Sequence, residues 1–266
     1  MTITISATDS NGDGKGIDFS TYFTAFYDTF VDPLSEHQYA AGFQYAVYRD
    51  SGQSILFNGT ENWTADGSGP ITGNFNEIIY GDNFEAVEGN PATNSADLTI
   101  RFPAVIDADT DLPQALALGS TTKLFEYLRN DRLHFAGSSG SDLFTGFGHD
   151  DKLEGNDGKD MLDGAGGRDV LDGGHGNDVL AGGKGSDTFR FDVQDGKDKV
   201  IDFATDGKSH DVIEFSSAIF ASFKQVVHAA DDNKSGLTIS YDDGDDAVRL
   251  AHVKVEDLNK LDFHFI

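Results

Sequence analysis

Residues 137–190 repeat every nine residues, and this period constrains the fold more than any other feature of the chain. The six consecutive nonapeptides follow one another without an insertion. Position one is always glycine, position six is always aspartate and position eight is always a large apolar residue. A disordered linker of low complexity would not keep three positions fixed through six units, so the period predicts a stacked repeat structure. The six aspartates are Asp142, Asp151, Asp160, Asp169, Asp178 and Asp187.

The repeat resembles the RTX calcium-binding nonapeptide, G-G-x-G-x-D-x-U-x, which implies a parallel β-roll. In such a roll each nonapeptide is a turn followed by a short strand and makes half a coil. Repeats n and n+2 then stack on the same side. Glycine at positions one and four permits the positive φ of a tight turn. The apolar residue at position eight is expected to point inward.

Aspartates two repeats apart, such as Asp142 and Asp160, are expected to face each other across one gap between stacked turns. Oxygen ligands with several carboxylates suit calcium rather than zinc or copper. Three turns on each side leave two gaps per side, so about four ions are expected. The second unit departs most from the pattern, because Phe147 and His149 replace glycines. The turn carbonyls expected to complete the sites belong to Gly137, Ser139, Gly146, Gly148, Gly155, Asp157, Gly164, Gly166, Gly173, His175, Gly182 and Lys184.

The composition limits the partners that this chain can have. The net charge is −27, which disfavours nucleic acid and anionic membrane surfaces. There are no cysteines, so disulfides, thiol catalysis and cysteine-ligated zinc are excluded. No apolar run approaches the length of a membrane span, and the first residues do not form a Sec-type signal.

Residues 1–136 are expected to form an α+β domain. A strand over Thr2–Ala7 precedes an aromatic helix over Phe19–Phe30, strands follow between Gln44 and Phe102, and one or two helices occupy Leu112–Leu133. The residues Asp9, Asn11 and Asp13 match the opening of an EF-hand loop, but position twelve is Ser20 rather than glutamate. A polar loop before the helix is therefore favoured over a calcium site there.

The local matches Gln44-Tyr45-Ala46, Gly59–Thr64 and Tyr80-Gly81-Asp82 are similar to bacterial Has-type hemophores, secreted proteins that capture heme. The resemblance implies heme iron held between a loop histidine and a tyrosine. His37 can stand for that histidine. Trp63 occupies the tyrosine position, and an indole NH cannot ligate iron. Heme binding by His37 and a surface-loop role for His37 both remain open, with the surface loop favoured.

Residues 191–266 are expected to form a β-rich cap with a hairpin around Asp242–Asp246. This part resembles the cap that follows the roll in serralysin-type metalloproteases. The ending Asp262–Ile266 is similar to the uncleaved export signals of that group, which implies type I secretion to an extracellular location. A final buried strand is the simpler interpretation of the same residues, and both can be true.

No catalytic motif accompanies these features. H-E-x-x-H and G-x-S-x-G are both missing from the sequence. We therefore expect a non-enzymatic secreted calcium-binding protein, with an α+β domain (1–136), an all-β parallel roll (137–190) and a β-rich cap (191–266). The expected partners are calcium and the type I secretion machinery. A heme-capturing hemophore is one alternative, and an adhesin or matrix protein binding an extracellular protein or glycan is another.

Overall fold

A computed structural model describes residues 2–9, 14–19, 22, 36–41, 44–49, 54–58, 74–85, 93–107, 112, 121–205, 207, 209–234 and 236–266. The chain forms two compact units. The first comprises Met1–Asn11 and Thr21–Asp131, and the second comprises Gly12–Ser20 and Arg132–Ile266. None of the helices in these ranges is long and apolar enough to cross a membrane.

The first unit contains an antiparallel sheet that includes the strand β1, Thr2–Ala7. Buried and more exposed residues alternate along β1, in which Ile3 and Ile5 are both buried. One face of the sheet therefore packs on a core that includes Phe57, Phe75 and Ile100. The strands predicted over Thr2–Ala7 and between Gln44 and Phe102 are confirmed, whereas the sequence does not predict the strand Glu36–Ala41. The strands of this sheet are β1 Thr2–Ala7, β3 Glu36–Ala41, β4 Gln44–Arg49, β5 Ser54–Asn58, β6 Asn74–Glu85 and β7 Thr93–Asp107. They lie side by side in the order β1-β7-β6-β5-β4-β3.

The helices of the first unit agree with the sequence in part. Helix α1 spans Thr122–Arg129 and buries Leu124 and Leu128, as the pattern predicts. Its predicted continuation to Leu133 is wrong, because Arg132–Ala136 forms strand β8 and buries Leu133 and Phe135. Most of the aromatic helix expected over Phe19–Phe30 lies outside the described residues.

The second unit is a roll of short parallel strands in two stacks. Each nonapeptide carries one apolar residue inward at position eight, so consecutive half-coils bury a continuous row. The first stack is β8, β10 Lys152–Glu154, β13 Val170–Asp172, β16 Thr188–Phe191, β18 Val212–Phe215 and β22 Phe263–Phe265. The second is β2 Lys15–Asp18, β9 Ser141–Thr145, β12 Met161–Asp163, β15 Val179–Ala181, β17 Lys197–Val200 and β21 Asp246–Ala251.

The register confirms that repeats n and n+2 stack. Leu153 pairs with Leu171, and Leu162 pairs with Leu180. The row of position-eight side chains is buried throughout, with exposures of 2% or less from Phe144 to Phe189. The rings of Phe135 and Phe144 stack 4.1 Å apart across the first coil. The interior of the roll is therefore a ladder of single apolar residues rather than a wide core.

Parallel stacking continues beyond the last nonapeptide. β16 pairs with β18, and β18 pairs with β22 near the end of the chain. The predicted hairpin is confirmed as β20 Gly236–Tyr241 antiparallel to β21, with a one-turn 3-10 helix over Asp242–Gly244. A strand, β19 Ala230–Asn233, extends the sheet, and helix α2 covers Phe223–Ala229.

Truncation of the inner row should be costly because each half-coil contributes one core side chain. Leu171→Ala is expected to lower the free energy of unfolding by about 2–5 kcal/mol, measured by denaturant titration in calcium. Met161→Ala is the matched control, since the Met161 side chain is 51% exposed. Its effect should stay within about 0.5 kcal/mol. Equal losses for the two variants would contradict this description of the core.

Candidate metal site

The six repeat aspartates form two ladders of backbone-to-carboxylate hydrogen bonds. The N–H of Asp142 donates to Oδ1 of Asp160, and the N–H of Asp160 donates to Oδ1 of Asp178. On the other side, Asp151 donates to Asp169 and Asp169 donates to Asp187. These bonds measure 2.7–2.9 Å, and all six aspartates are 1–3% exposed. The structure therefore brings together the aspartates that the period predicted to be neighbours.

Both ladders extend past the repeats, to residues that the sequence analysis missed. The N–H of Asp178 donates to Oδ1 of Asp198, and that of Asp187 donates to Oδ1 of Asp211, each at 2.9 Å. Asp198 is 4% exposed and Asp211 is 3% exposed. The spacings are 20 and 24 residues instead of 18. A search for a strict nine-residue period cannot find them.

Residues 193–201 are a degenerate seventh repeat, displaced by two residues. Gly176 pairs with Gly196, and Leu180 pairs with Val200. Gly196 thus occupies position four, Asp198 occupies position six, and Asp195 takes position three. The carboxylate of Asp246, from β21, accepts hydrogen bonds from the backbone of Gln194 and Gly196 and holds this turn. The sequence signal was the short run Asp195-Gly196-Lys197-Asp198.

The second carboxylate oxygen of each aspartate divides the repeats into two groups. Oδ2 of Asp142 accepts from the N–H of Ser138 at 2.7 Å, and Oδ2 of Asp151 accepts from the N–H of Phe147 at 3.2 Å. In the other four units Oδ2 is buried and has no hydrogen-bond partner. Four such oxygens in one roll fit a cation as their partner, because a buried carboxylate oxygen without a partner is costly. The four belong to Asp160, Asp169, Asp178 and Asp187.

The backbone at position two explains the division. Asn156, Ala165, Gly174 and Gly183 all have positive φ, between 66° and 88°. Every open Oδ2, meaning one without a hydrogen-bond partner, belongs to a unit with a positive φ at position two. Ser138 and Phe147 are not among the positive-φ residues. In those two units the position-two N–H instead donates to the aspartate. The backbone conformation at position two, rather than the presence of glycine there, therefore determines whether Oδ2 has a partner, because Asn156 and Ala165 also keep a positive φ.

Position one must be glycine because the carboxylate fills the place of a side chain. A Cβ on Gly155 would overlap Oδ2 of Asp160 and lie 2.5 Å from the carbonyl oxygen of Gly173. On Gly164 it would overlap Oδ2 of Asp169 and lie 2.8 Å from the carbonyl oxygen of Gly182. The open carboxylate oxygen and the position-one carbonyl of the next coil thus share one side of each turn. This is the mixed donor set that calcium uses.

Burial makes these carboxyl groups hard to ionise without a cation. It raises the pKa of Asp160 and of Asp169 to about 7, and neighbouring aspartates add to the rise. It raises the pKa of Asp178 to about 6 and also raises that of Asp187. In the seventh repeat burial raises the pKa of Asp198 to about 8. A divalent cation would supply the charge that stabilises the ionised forms.

The carboxylates do not converge into a centre by themselves. Within the described ranges, no three histidine, cysteine or acidic side chains lie close enough to hold a metal alone. The residues present fit calcium, which accepts carbonyl oxygens, and do not form a zinc-type cluster. The predicted turn carbonyls are the remaining donors. Among them, the carbonyls of Gly137, Gly164 and Lys184 already accept a hydrogen bond, and each has a second lone pair to offer.

The other predicted site residues are placed differently from expectation. Asn11 and Asp13 lie outside the described residues, and Asp9 follows β1. The loop expected over 9–20 is interrupted by strand β2, because Ile17 and Phe19 are buried in the second unit. His37 lies in strand β3, opposite Tyr48, so its assignment to a loop is wrong. Trp63 lies outside the described residues.

Comparison with known proteins agrees with the repeat geometry. Residues 134–162 and 154–189 match the family model of the RTX calcium-binding nonapeptide repeat (4 copies). No curated protein matches the chain significantly.

Among solved structures, the chain is similar to the apo form of the hemophore HasA from Yersinia pestis. The identity is 14%, the TM-score is 0.35, and the match covers 48% of this chain and 86% of that one. The extracellular lipase LipA from Serratia marcescens has 16% identity and a TM-score of 0.43, with 87% of this chain covering 31% of the lipase. The chain thus spans about a third of that lipase, and neither TM-score establishes a common fold.

Proposed function

Because residues 134–189 are RTX calcium-binding nonapeptide repeats, we propose that this is a secreted protein whose roll folds when it binds calcium outside the cell. The observation that carries the proposal is the set of four buried carboxylate oxygens without a hydrogen-bond partner. A cation at each would satisfy the oxygen and relieve repulsion between stacked aspartates. Calcium is the ion that the oxygen donors favour.

The ligands of the four ions follow from the ladders. Asp160 with Asp178, and Asp169 with Asp187, would hold one ion each, as the sequence predicts. Asp178 with Asp198, and Asp187 with Asp211, would hold the other two. The position-one and position-three carbonyls would complete each site. The two gaps after Asp142 and Asp151, which the sequence also predicts, are not included in this set, because Oδ2 of each of these aspartates already accepts a backbone N–H and therefore does not need a cation as its partner.

Calcium would supply charge neutralisation, and the chain would couple that binding to folding. Without the ion, closing each coil buries ionisable carboxylates that repel one another, and the net charge of −27 adds to this cost. Cytosolic free calcium is low, so the chain would stay unfolded and competent for type I export. The ending Asp262–Ile266 would act as the uncleaved signal and then fold, since Asp262 is fully buried and β22 completes the first stack.

The first unit would carry the ligand- or partner-binding activity, which we propose to be non-enzymatic. Its resemblance to hemophores in local sequence supports heme as one ligand, with His37 as the candidate iron ligand. Addition of hemin should then produce a Soret band that His37→Ala removes and His134→Ala keeps. A band unaffected by His37→Ala would exclude His37 as the ligand. Without any band, an extracellular protein or glycan becomes the favoured partner for an adhesin or matrix role.

Circular dichroism tests the proposed folding. In chelator at pH 7.5 the purified chain should lose β-structure, and millimolar calcium should restore it in one cooperative step. Magnesium at the same concentration is the control, and it should restore little because it demands a smaller octahedral cage. Equal β-structure in chelator and in calcium would overturn the proposal.

A further inference from the structure

The roll begins with a strand borrowed from the amino-terminal part of the chain. Strand β2 pairs in parallel with β9, with Lys15 opposite Ser141 and Asp18 opposite Leu143. The two strands are more than a hundred residues apart in sequence. Residues 2–9 and 22, on either side of this segment, belong to the first unit. In the sequence the segment 14–19 therefore lies between two parts of the first unit, but in the structure it belongs to the second unit.

This segment joins the carboxylate ladder. The N–H of Ile17 donates to Oδ1 of Asp142, in the way that the N–H of Asp142 donates to Oδ1 of Asp160. Residues 14–19 thus stand where a preceding coil would stand. The ladder of this side runs without a break from Ile17 to Asp198.

The segment also closes the apolar row. Ile17 is 6% exposed and Phe19 is 3% exposed, and the ring of Phe19 lies 4.8 Å from that of Phe144. Without the segment, β9 would present an unpaired edge and Phe144 would lose its outer neighbour. Repeat structures need such a terminal cap, because each coil buries its apolar side chain only against neighbours.

Strands β2 and β9 approach so closely along their contact, here called the seam, that docking depends on a glycine from each side of it. A Cβ on Gly16 would lie 2.5 Å from the carbonyl carbon of Ser141, and one on Gly140 would lie 2.5 Å from the carbonyl carbon of Lys15. These obstacles are backbone atoms, which cannot move aside as a flexible side chain does. The seam is therefore specific for this segment.

We propose that residues 14–19 form a calcium-dependent latch, a terminal strand that docks on β9 only when the repeats are folded. The proposal rests on the calcium-driven folding proposed above. Strand β9 and the Asp142 carboxylate are fixed in place by the coils behind them, so the docking surface exists only in the folded roll. Calcium would then decide whether residues 14–19 are held on the roll or released.

Hydrogen–deuterium exchange of the full chain tests the latch, with peptides covering 14–19 and peptides covering 150–190. In calcium both regions should be protected, and chelator should speed exchange in both by at least tenfold. Trypsin cleavage after Lys15 should follow the same pattern. If exchange in the repeats is slower in calcium than in chelator but residues 14–19 exchange at the same rate in both, the latch proposal is overturned and the proposal of calcium-driven folding stands. If neither region responds, both proposals fail.

A seam variant separates docking from roll folding. Gly16→Ala should speed exchange of 14–19 in calcium by about tenfold, which corresponds to about 1.4 kcal/mol. The calcium-induced circular dichroism change should remain, which shows that the roll still folds. Lys15→Ala is the matched control, because its side chain is exposed and its backbone pairing is kept. Full protection of 14–19 in Gly16→Ala would overturn the proposal.

Discussion

Asp178→Asn will weaken calcium binding by on the order of 10- to 100-fold, because calcium affinity depends strongly on the number of charged ligands. Asparagine keeps the Oδ1 acceptor, so the hydrogen bond from the Asp160 N–H survives. What is lost is the charge of the open Oδ2. Asp178 is expected to serve the gaps on both of its sides, so this variant should impair two sites. Calcium titration by calorimetry gives the affinity and the number of ions.

Asp142→Asn is the matched comparison within the same ladder. Both oxygens of Asp142 already accept hydrogen bonds, from Ser138 and Ile17. Its replacement should therefore change calcium affinity by less than about threefold, although it can lower stability by about 1 kcal/mol through weaker hydrogen bonds. Equal losses of affinity in the two variants would contradict the division of repeats by their Oδ2 atoms.

Acidification will have opposite effects on the calcium-free and the calcium-loaded protein. Burial raises the pKa of Asp160 and Asp169 to about 7, well above the ordinary value near 4. A raised pKa in the folded state contributes stability that is complete below the ordinary value and is lost as the pH rises through the folded value. The calcium-free roll should thus become more stable as the pH falls from 8 to 5.

The stabilisation of the roll by calcium should decrease as the pH falls over the same range. Calcium needs ionised carboxylates, so protons compete with it below about pH 7. One competing proton with a pKa of about 7 lowers the apparent affinity about tenfold per pH unit below that value. Thermal unfolding in calcium and in chelator, at pH 8, 6.5 and 5, measures both trends. A calcium-induced rise in Tm that is as large at pH 5 as at pH 8 would contradict the role of these carboxylates.

The sequence predicted the repeating part of the fold well because a strict period fixes the coil. Successive nonapeptides each place one apolar residue inward, as Leu153, Leu162 and Leu171 show, and the stacking of repeat n on repeat n+2 follows. The strands of the first unit other than β3, and the hairpin around Asp242–Asp246, could also be predicted, since alternation and turn residues are local signals. Helix α1 was predicted too long, because Leu133 and Phe135 are apolar residues that suit a helix or the first strand of the roll.

The remaining features depend on contacts that no local pattern encodes. Asp198 and Asp211 join the ladders after insertions, which break the period. The hydrogen bond that Oδ2 of Asp151 accepts depends on the backbone conformation at Phe147. A nine-residue pattern shows only that Phe147 is unusual at its position. Strand β2 docks on a partner more than a hundred residues away, and its sequence suggested a polar loop. His37 was placed by resemblance to a loop and lies in a strand.

Anomalous scattering from crystals grown in calcium will locate each ion bound to the roll. Four ions are expected, each about 2.3–2.6 Å from Oδ2 of Asp160, Asp169, Asp178 or Asp187, with Asp198 and Asp211 beside the last two. No ion should lie beside Oδ2 of Asp142 or Asp151. Ions at those two positions, or none beside the four open oxygens, would show that the Oδ2 atoms without a hydrogen-bond partner do not mark the calcium sites.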